Sequence, residues 1–285
     1  MIGGFPNDRA RQRYLEVYDS LLDWPEPAEE LTIETSYGLT NVRRSGRETG
    51  VPLVLLHGVV ATSVSWQRVA GELGERHPVF AVDSLGEPGR SVQTAPLPDP
   101  ESIADWLDQV LDALGPEKVH LAGVSRGGWL ALNQAVRRPD RISGVTAVDP
   151  GGLADLTAKR YLWLAAGLGL MLSPAVVRRR FGPSSTFSAF LDDTVRPLVL
   201  AQFSHRTKVF MFDTLTGDQW RSLRVPVDLV LAGRSALYDA EAVATRIAPL
   251  SPRLRVEVVP GMTHGAGLME LAADRAQRSI RERSG

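Results

Sequence analysis

The 285-residue chain contains no cysteine. That absence excludes disulfides, thiolate nucleophiles, iron–sulfur clusters and cysteine-based zinc sites. Excess charge is lacking too: 32 Lys and Arg stand against 33 Asp and Glu, a formal net charge of −1. No general pull toward nucleic acid or anionic lipid follows from that balance. Lysine is scarce, 3 residues against 29 Arg, which reads as genomic bias and not as chemistry. Residues Met1 to Ala10 (MIGGFPNDRA) show no basic segment followed by an apolar run, so no secretory signal is expected and the protein is read as cytoplasmic. Long apolar runs are few. The strongest, Tyr161–Val177, has 17 residues and includes Ser173 and Pro174. A membrane span needs about 20, so this stretch reads as a helix packed over the core, without membrane contact.

Hydrophobic residues make up 44% of the chain, enough for a globular core and too many for disorder. At about 100–200 residues per domain, the length suits one large domain or two small ones. Asp8 to Trp24 carries Tyr14, Leu15, Tyr18, Leu21 and Leu22 at helical spacing, ended by Pro25 and Pro27. Leu31–Thr35 and Thr40–Arg44 read as short strands around a Tyr37-Gly38 turn. From residue 51 strands alternate with helices. Strands are predicted at Val51–Leu56, Pro78–Val82, Val119–Val124 and Ile142–Val148, with helices at Ser63–Glu75, Glu101–Leu114 and Gly127–Arg137 between them. That alternation means a parallel sheet covered on both faces. It stops at Pro150 and resumes at Val227–Ala232, followed by a helix from about Ala240, a strand Leu254–Val259 and a last helix. Residues 153–222 are therefore read as a helical cap inserted between strands six and seven, with 1–152 and 223–285 as the core.

The sharpest motif is Gly123-Val124-Ser125-Arg126-Gly127, which ends an apolar strand and opens a helix. A serine on so tight a strand-to-helix turn needs its neighbours two positions away to lack side chains. Its oxygen then stands at a helix N-terminus, where developing negative charge is favoured. The alternative, a plain Gly-rich turn, does not explain the strand–turn–helix context.

At these residues the chain resembles the α/β-hydrolase family over nearly its whole length. His57-Gly58-Val59-Val60 matches the family's oxyanion loop. Asp83-Ser84-Leu85-Gly86-Glu87-Pro88-Gly89-Arg90-Ser91 looks like its D-x-x-G-x-G-x-S loop, and Pro260-Gly261-Met262-Thr263-His264-Gly265 holds a histidine after the last strand. The resemblance implies a mostly parallel α/β-hydrolase sheet with helices on both faces and a helical cap.

Serine alone is a poor nucleophile near neutral pH and needs a base. Of the histidines, His77 and His120 start strands, at the far end from Ser125, and His205 sits in the insert without a motif. His57 is expected to hold its loop by hydrogen bonding. His264, in a Gly-rich loop after a strand, is the expected base, since imidazole titrates near neutral pH. The expected oxyanion hole is the backbone N–H of Arg126 and of Val59. The Arg126 side chain is read as entering a salt bridge, with an anionic substrate group as the alternative.

The acid departs from the family pattern. Where the family has G-x-x-D, this chain has Gly233-Arg234-Ser235-Ala236, and alanine cannot orient an imidazole. Asp149, at the end of the sixth strand, is favoured, because some family members carry the acid there. Asp239 is the alternative, although Asp239-Ala240-Glu241-Ala242 also reads as a helix N-cap.

The expected function is hydrolysis of an ester, thioester, lactone or related acyl bond of a small, largely apolar molecule. Val60, Trp163, Leu164 and Leu168 are expected to line its site. Two alternatives stay open: a tailoring enzyme of the same fold performing a rearrangement or C–C cleavage, and a non-catalytic ligand-binding member. No P-loop, dinucleotide fingerprint or metal-ligand cluster is present in the sequence, so no cofactor or metal is expected. A small-molecule substrate is the expected partner, with no nucleic acid, and self-association is left open.

Overall fold

The computed structural model describes residues 2–155, 173–181, 196–208, 210–265 and 267–284, and residues 162, 166, 169 and 170 singly. In chain order the strands are β1 (Ala28–Thr35), β2 (Gly38–Gly46), β3 (Leu53–Leu56), β4 (Pro78–Val82), β5 (Val92–Gln93), β6 (Val119–Val124), β7 (Ile142–Val148), β8 (Val227–Arg234) and β9 (Leu254–Thr263). The helices are α1 (Asp8–Ser20), α2 (Gln67–Gly74), α3 (Pro100–Leu114), α4 (Arg126–Arg137), α5 (Ala175–Phe181), α6 (Arg196–Ala201), α7 (Gly217–Arg221), α8 (Ala240–Ile247) and α9 (Leu268–Ser284).

The apolar run of β3 shows how the sheet is covered. Leu53 and Leu55 pack with Val69 and Leu73 of α2 and Ala272 and Ala276 of α9. Val54 and Leu56 point the other way, into a core shared with Trp106 of α3, Leu130 of α4 and Val243 of α8. All four strand residues are fully buried, which is why the sequence shows no polar alternation there. The sheet order is β1-β2-β4-β3-β6-β7-β8-β9, with β5 beside β2. The six strands from β4 to β9 in that order are parallel, and β2 is antiparallel to both its neighbours β1 and β4. The parallel strands are those that the alternation implied, and the antiparallel pairings of β1, β2 and β5 make the sheet mixed.

Three local departures have physical causes. The first helix stops at Ser20 and not at Trp24, because Trp24 buries its ring and donates Nε1–H to Ser45 Oγ of β2 at 3.0 Å. Residues Ser63–Trp66 form a 3₁₀ turn, capped by Thr62, ahead of α2. The two-residue β5 pairs with β2 through Gly38 and Leu39. It is too short to show a pattern in the sequence, and it turns the sixth and seventh strands counted there into β7 and β8.

The inserted segment lies between β7 and β8. Its helix α6 packs Leu198 against Tyr14, Leu15 and Tyr18 of α1. Beyond it, Arg206 and Gly4 exchange backbone hydrogen bonds of 3.0 and 2.9 Å, and the Phe5 ring stands edge-on to His205 at 4.8 Å. Leu215 and Trp220, on the returning arm, are buried in the main core. Trp163, Leu164 and Leu168 lie outside the described residues. Within the apolar stretch 161–177, the chain turns at Ser173, whose N–H and Oγ both bond the Leu170 carbonyl, and α5 starts beyond Pro174. Among the described residues no helix is long and apolar enough to cross a membrane.

Candidate active site

The parallel register brings the motif residues to one rim. Leu56 pairs with Gly123, and Val124 with Val148, so Ser125 and Asp149 leave adjacent strands at the same level. In α/β sheets this carboxyl end of the strands is where ligands bind.

Ser125 sits at φ 52° and ψ −114° between β6 and α4. Its backbone is held on both sides: its N–H bonds Val148 O at 3.0 Å, and its carbonyl accepts from Trp129 and Gly151. The flanking glycines are steric requirements. A Cβ on Gly127 would lie 2.0 Å from the Leu56 carbonyl oxygen, and one on Gly123 would lie 2.3 Å from that of Gly127. Among the described residues, the non-glycine residues with positive φ are Val60, Ser125 and Asp149, at 59°, 52° and 43°. All three stand on this rim, after β3, β6 and β7. Strain of this kind costs about 1–3 kcal/mol per residue and gathers at functional sites.

The turn after β3 lies against Ser125. A Cβ on Gly58 would be 3.2 Å from Ser125 Cβ and 3.8 Å from its Oγ. The Ala61 N–H closes the turn on Gly58 O at 3.2 Å, with Val59 and Val60 at its tip. Buried His57 anchors it. Its Nε2 accepts from the Ser84 N–H at 3.0 Å, so Nδ1 carries the proton and donates to Gly58 O at 2.8 Å. The Val60 carbonyl accepts from Gln202 Nε2 at 3.1 Å.

Arg126 opens α4, so its backbone N–H has no intrahelical partner. Its side chain is 2% exposed and turned away from solvent. Nε lies 3.3 Å from Glu87 Oε1, a contact too poorly aligned for a hydrogen bond, and Nη1 donates to the carbonyls of Phe210, at 2.8 Å, and Met211. The guanidinium thus clamps the insert's returning arm to the α4 end.

His264 follows β9 directly, because that strand runs to Thr263 and not only to Val259. Its Nδ1 donates to Asp149 Oδ2 at 2.6 Å, which leaves Nε2 as the nitrogen free for proton transfer. Asp149 is fully buried. Its Oδ1 accepts from the Ala232 N–H at 3.1 Å and Tyr238 O–H at 2.7 Å, and its Oδ2 also accepts from Ser235 Oγ–H at 2.9 Å. Burial, and then the charge of Asp149, push the Tyr238 phenol well above its ordinary pKa, so it stays a donor. Asp239 does something else: it caps α8 by accepting the Ala242 N–H at 3.1 Å.

The other histidines are engaged elsewhere. His77 bonds Val51 O and His120 bonds Thr146 Oγ1, both at the opposite ends of the strands. Gln202 and Tyr238 carry no motif in the sequence, and Glu87 and Ser235, although they stand in the loops quoted above, had no role assigned to them. The one signal in the sequence was Ala236, which stands where the family carries its acid. Among the described residues no group of three or more His, Asp and Glu side chains is placed to hold a metal ion.

The model of the alpha/beta hydrolase family matches residues 53–278. The chain belongs to that family. The protein called uncharacterized carboxylesterase nap, of Bacillus subtilis, is 28% identical over 270 residues, 88% of this chain and 86% of its own length. Carboxylesterase YbfK of the same organism is 26% identical over 258 residues, 88% of this chain and 87% of its own. The crystal structure of naproxen esterase from Bacillus subtilis is similar with a TM-score of 0.81 and 27% identity, covering 96% of this chain and 98% of that one.

Proposed function

We propose that the protein is a serine carboxylesterase in which Ser125, His264 and Asp149 form the catalytic triad. It is a hydrolase of the carboxylesterase type, as are its relatives of nearly equal length. The observation that carries the residue assignment is the 2.6 Å contact of His264 Nδ1 with buried Asp149 Oδ2, on the rim where Ser125 holds its strained turn.

In this reading His264 Nε2 takes the Ser125 proton as Oγ attacks the ester carbonyl. Asp149 fixes the imidazole tautomer and stabilises the imidazolium that forms. The developing oxyanion is held by the N–H groups of Arg126 and Val59, the first at the positive end of α4. The imidazolium then protonates the leaving alcohol, and water hydrolyses the acyl-enzyme by the reverse sequence. The substrate is a small, largely apolar ester, bound at the rim that carries Ser125, with Val60 as a contact.

The test is turnover of p-nitrophenyl esters of rising chain length, together with labelling by a fluorophosphonate. Hydrolysis and labelling by the wild type, both lost in Ser125→Ala, are expected. Undiminished turnover by Ser125→Ala would remove the nucleophile from this reading.

A further inference from the structure

The loop that lacks the family's acid is folded around the acid's replacement. A carboxylate offers about four acceptor positions, and Asp149 fills them with four donors: Ala232 N–H, Tyr238 O–H, Ser235 Oγ–H and His264 Nδ1–H. Three of these come from residues 232–238. The segment turns at once after β8, with the Ser235 N–H on Ala232 O at 2.9 Å, and Ser235 Oγ accepts the Leu237 N–H at 3.2 Å. That leaves the hydroxyl proton of Ser235 directed at Asp149. Tyr238 is 3% exposed and reaches the other oxygen. Asp149 needs such help, because it is fully buried and its backbone is held at φ 43°.

We propose that Ser235 and Tyr238 are positioning residues for the acid, side-chain donors that lock the Asp149 carboxylate with Oδ2 aimed at His264. The inference rests on Asp149 being the triad acid. Neither side chain touches the reacting atoms, so their effect passes through the carboxylate. Withdrawing a donor lets the carboxylate turn out of line with His264, which slows proton transfer, and it returns electron density to the carboxylate, so that the free enzyme holds a protonated imidazole more tightly. A donor that only supported the fold would leave that balance alone.

The experiment compares Tyr238→Phe, Ser235→Ala and their double variant with the wild type and Asp149→Asn, in p-nitrophenyl acetate turnover across pH. Tyr238→Phe keeps the buried ring, and Ser235→Ala guards against a folding failure at 238. A hydrogen bond to a charged group has the size of about a tenfold effect or more. Each single variant is expected to lower kcat about tenfold with KM within about twofold. The acid limb of kcat/KM should move upward by a few tenths of a pH unit, further in the double variant. If the single variants keep wild-type kcat and limb position while Asp149→Asn is inactive, the positioning role is wrong and the acid stands. The positioning role fails equally if they lose activity only in step with melting temperature, the limb unmoved. An active Asp149→Asn would instead strike the acid assignment itself, and this inference with it.

Discussion

His264 Nδ1 and Asp149 Oδ2 meet at 2.6 Å across 115 positions of sequence. The contact exists because β7 and β9 flank β8 in one parallel sheet and end on the same rim. The Asp149 side chain reaches past the end of β8 to the histidine beyond. Asp239, nearer in sequence to the family's usual acid position, spends its carboxylate on the N-terminus of α8.

That division of labour separates the two aspartates experimentally. Asp149→Asn should lower turnover by about four powers of ten, the scale of losing a triad carboxylate. Asp239→Asn should keep most activity, since asparagine also caps helices and even full loss of a cap costs only about 1 kcal/mol. Steady-state kinetics and thermal melts of both variants decide it, and the reversed pattern would transfer the acid to Asp239.

Ser125→Ala should abolish nearly all turnover, a loss of about three or more powers of ten. The fold should survive, because the backbone of residue 125 is held by Val148, Trp129 and Gly151 and not by the hydroxyl. Circular dichroism and kcat measured together provide the check. A variant that unfolds would show the hydroxyl to be structural.

Val60 offers a trade between stability and rate. A β-branched residue at φ 59° carries about 1–2 kcal/mol of strain, and glycine removes it at an entropic cost of about 0.5–1 kcal/mol. Val60→Gly should therefore melt within about 1 kcal/mol of the wild type, yet turn over roughly tenfold more slowly as the turn holding the Val59 N–H loosens. Destabilisation above about 2 kcal/mol would mean that packing of the Val60 side chain outweighs the strain.

His120 should make stability depend on pH. Burial, and then the positive charge of Arg283, depress its pKa from 6.5 to about 3, so it is neutral in the folded protein. The unfolded chain takes up a proton below about 6.5. Its contribution is whole above that value and is lost as pH falls toward 3, at about 1.4 kcal/mol per pH unit. Urea unfolding between pH 7 and 5 should show a shallower pH slope for His120→Asn than for the wild type. Equal slopes would mean that His120 does not titrate on unfolding.

The local chemistry of this chain was written in its sequence. Buried strands had to be continuously apolar, as in Leu53–Leu56, and the helix expected over Glu101–Leu114 forms within a residue of those bounds, from Pro100 to Leu114. Gly123 and Gly127 had to lack side chains because backbone carbonyls occupy their space. These are short-range constraints, so they leave short-range signals, and they point to Ser125 and to the strand ends that carry Asp149 and His264. What surrounds those residues was decided by tertiary structure. Ser235 and Tyr238 bond a carboxylate 86 and 89 positions away. Gln202 bonds the turn at Val60 across 142, and Arg126 grips carbonyls at 210 and 211. Such contacts depend on which strand lies beside which and on where the insert returns. No periodicity records that order, because it is fixed only when the whole sheet closes its core.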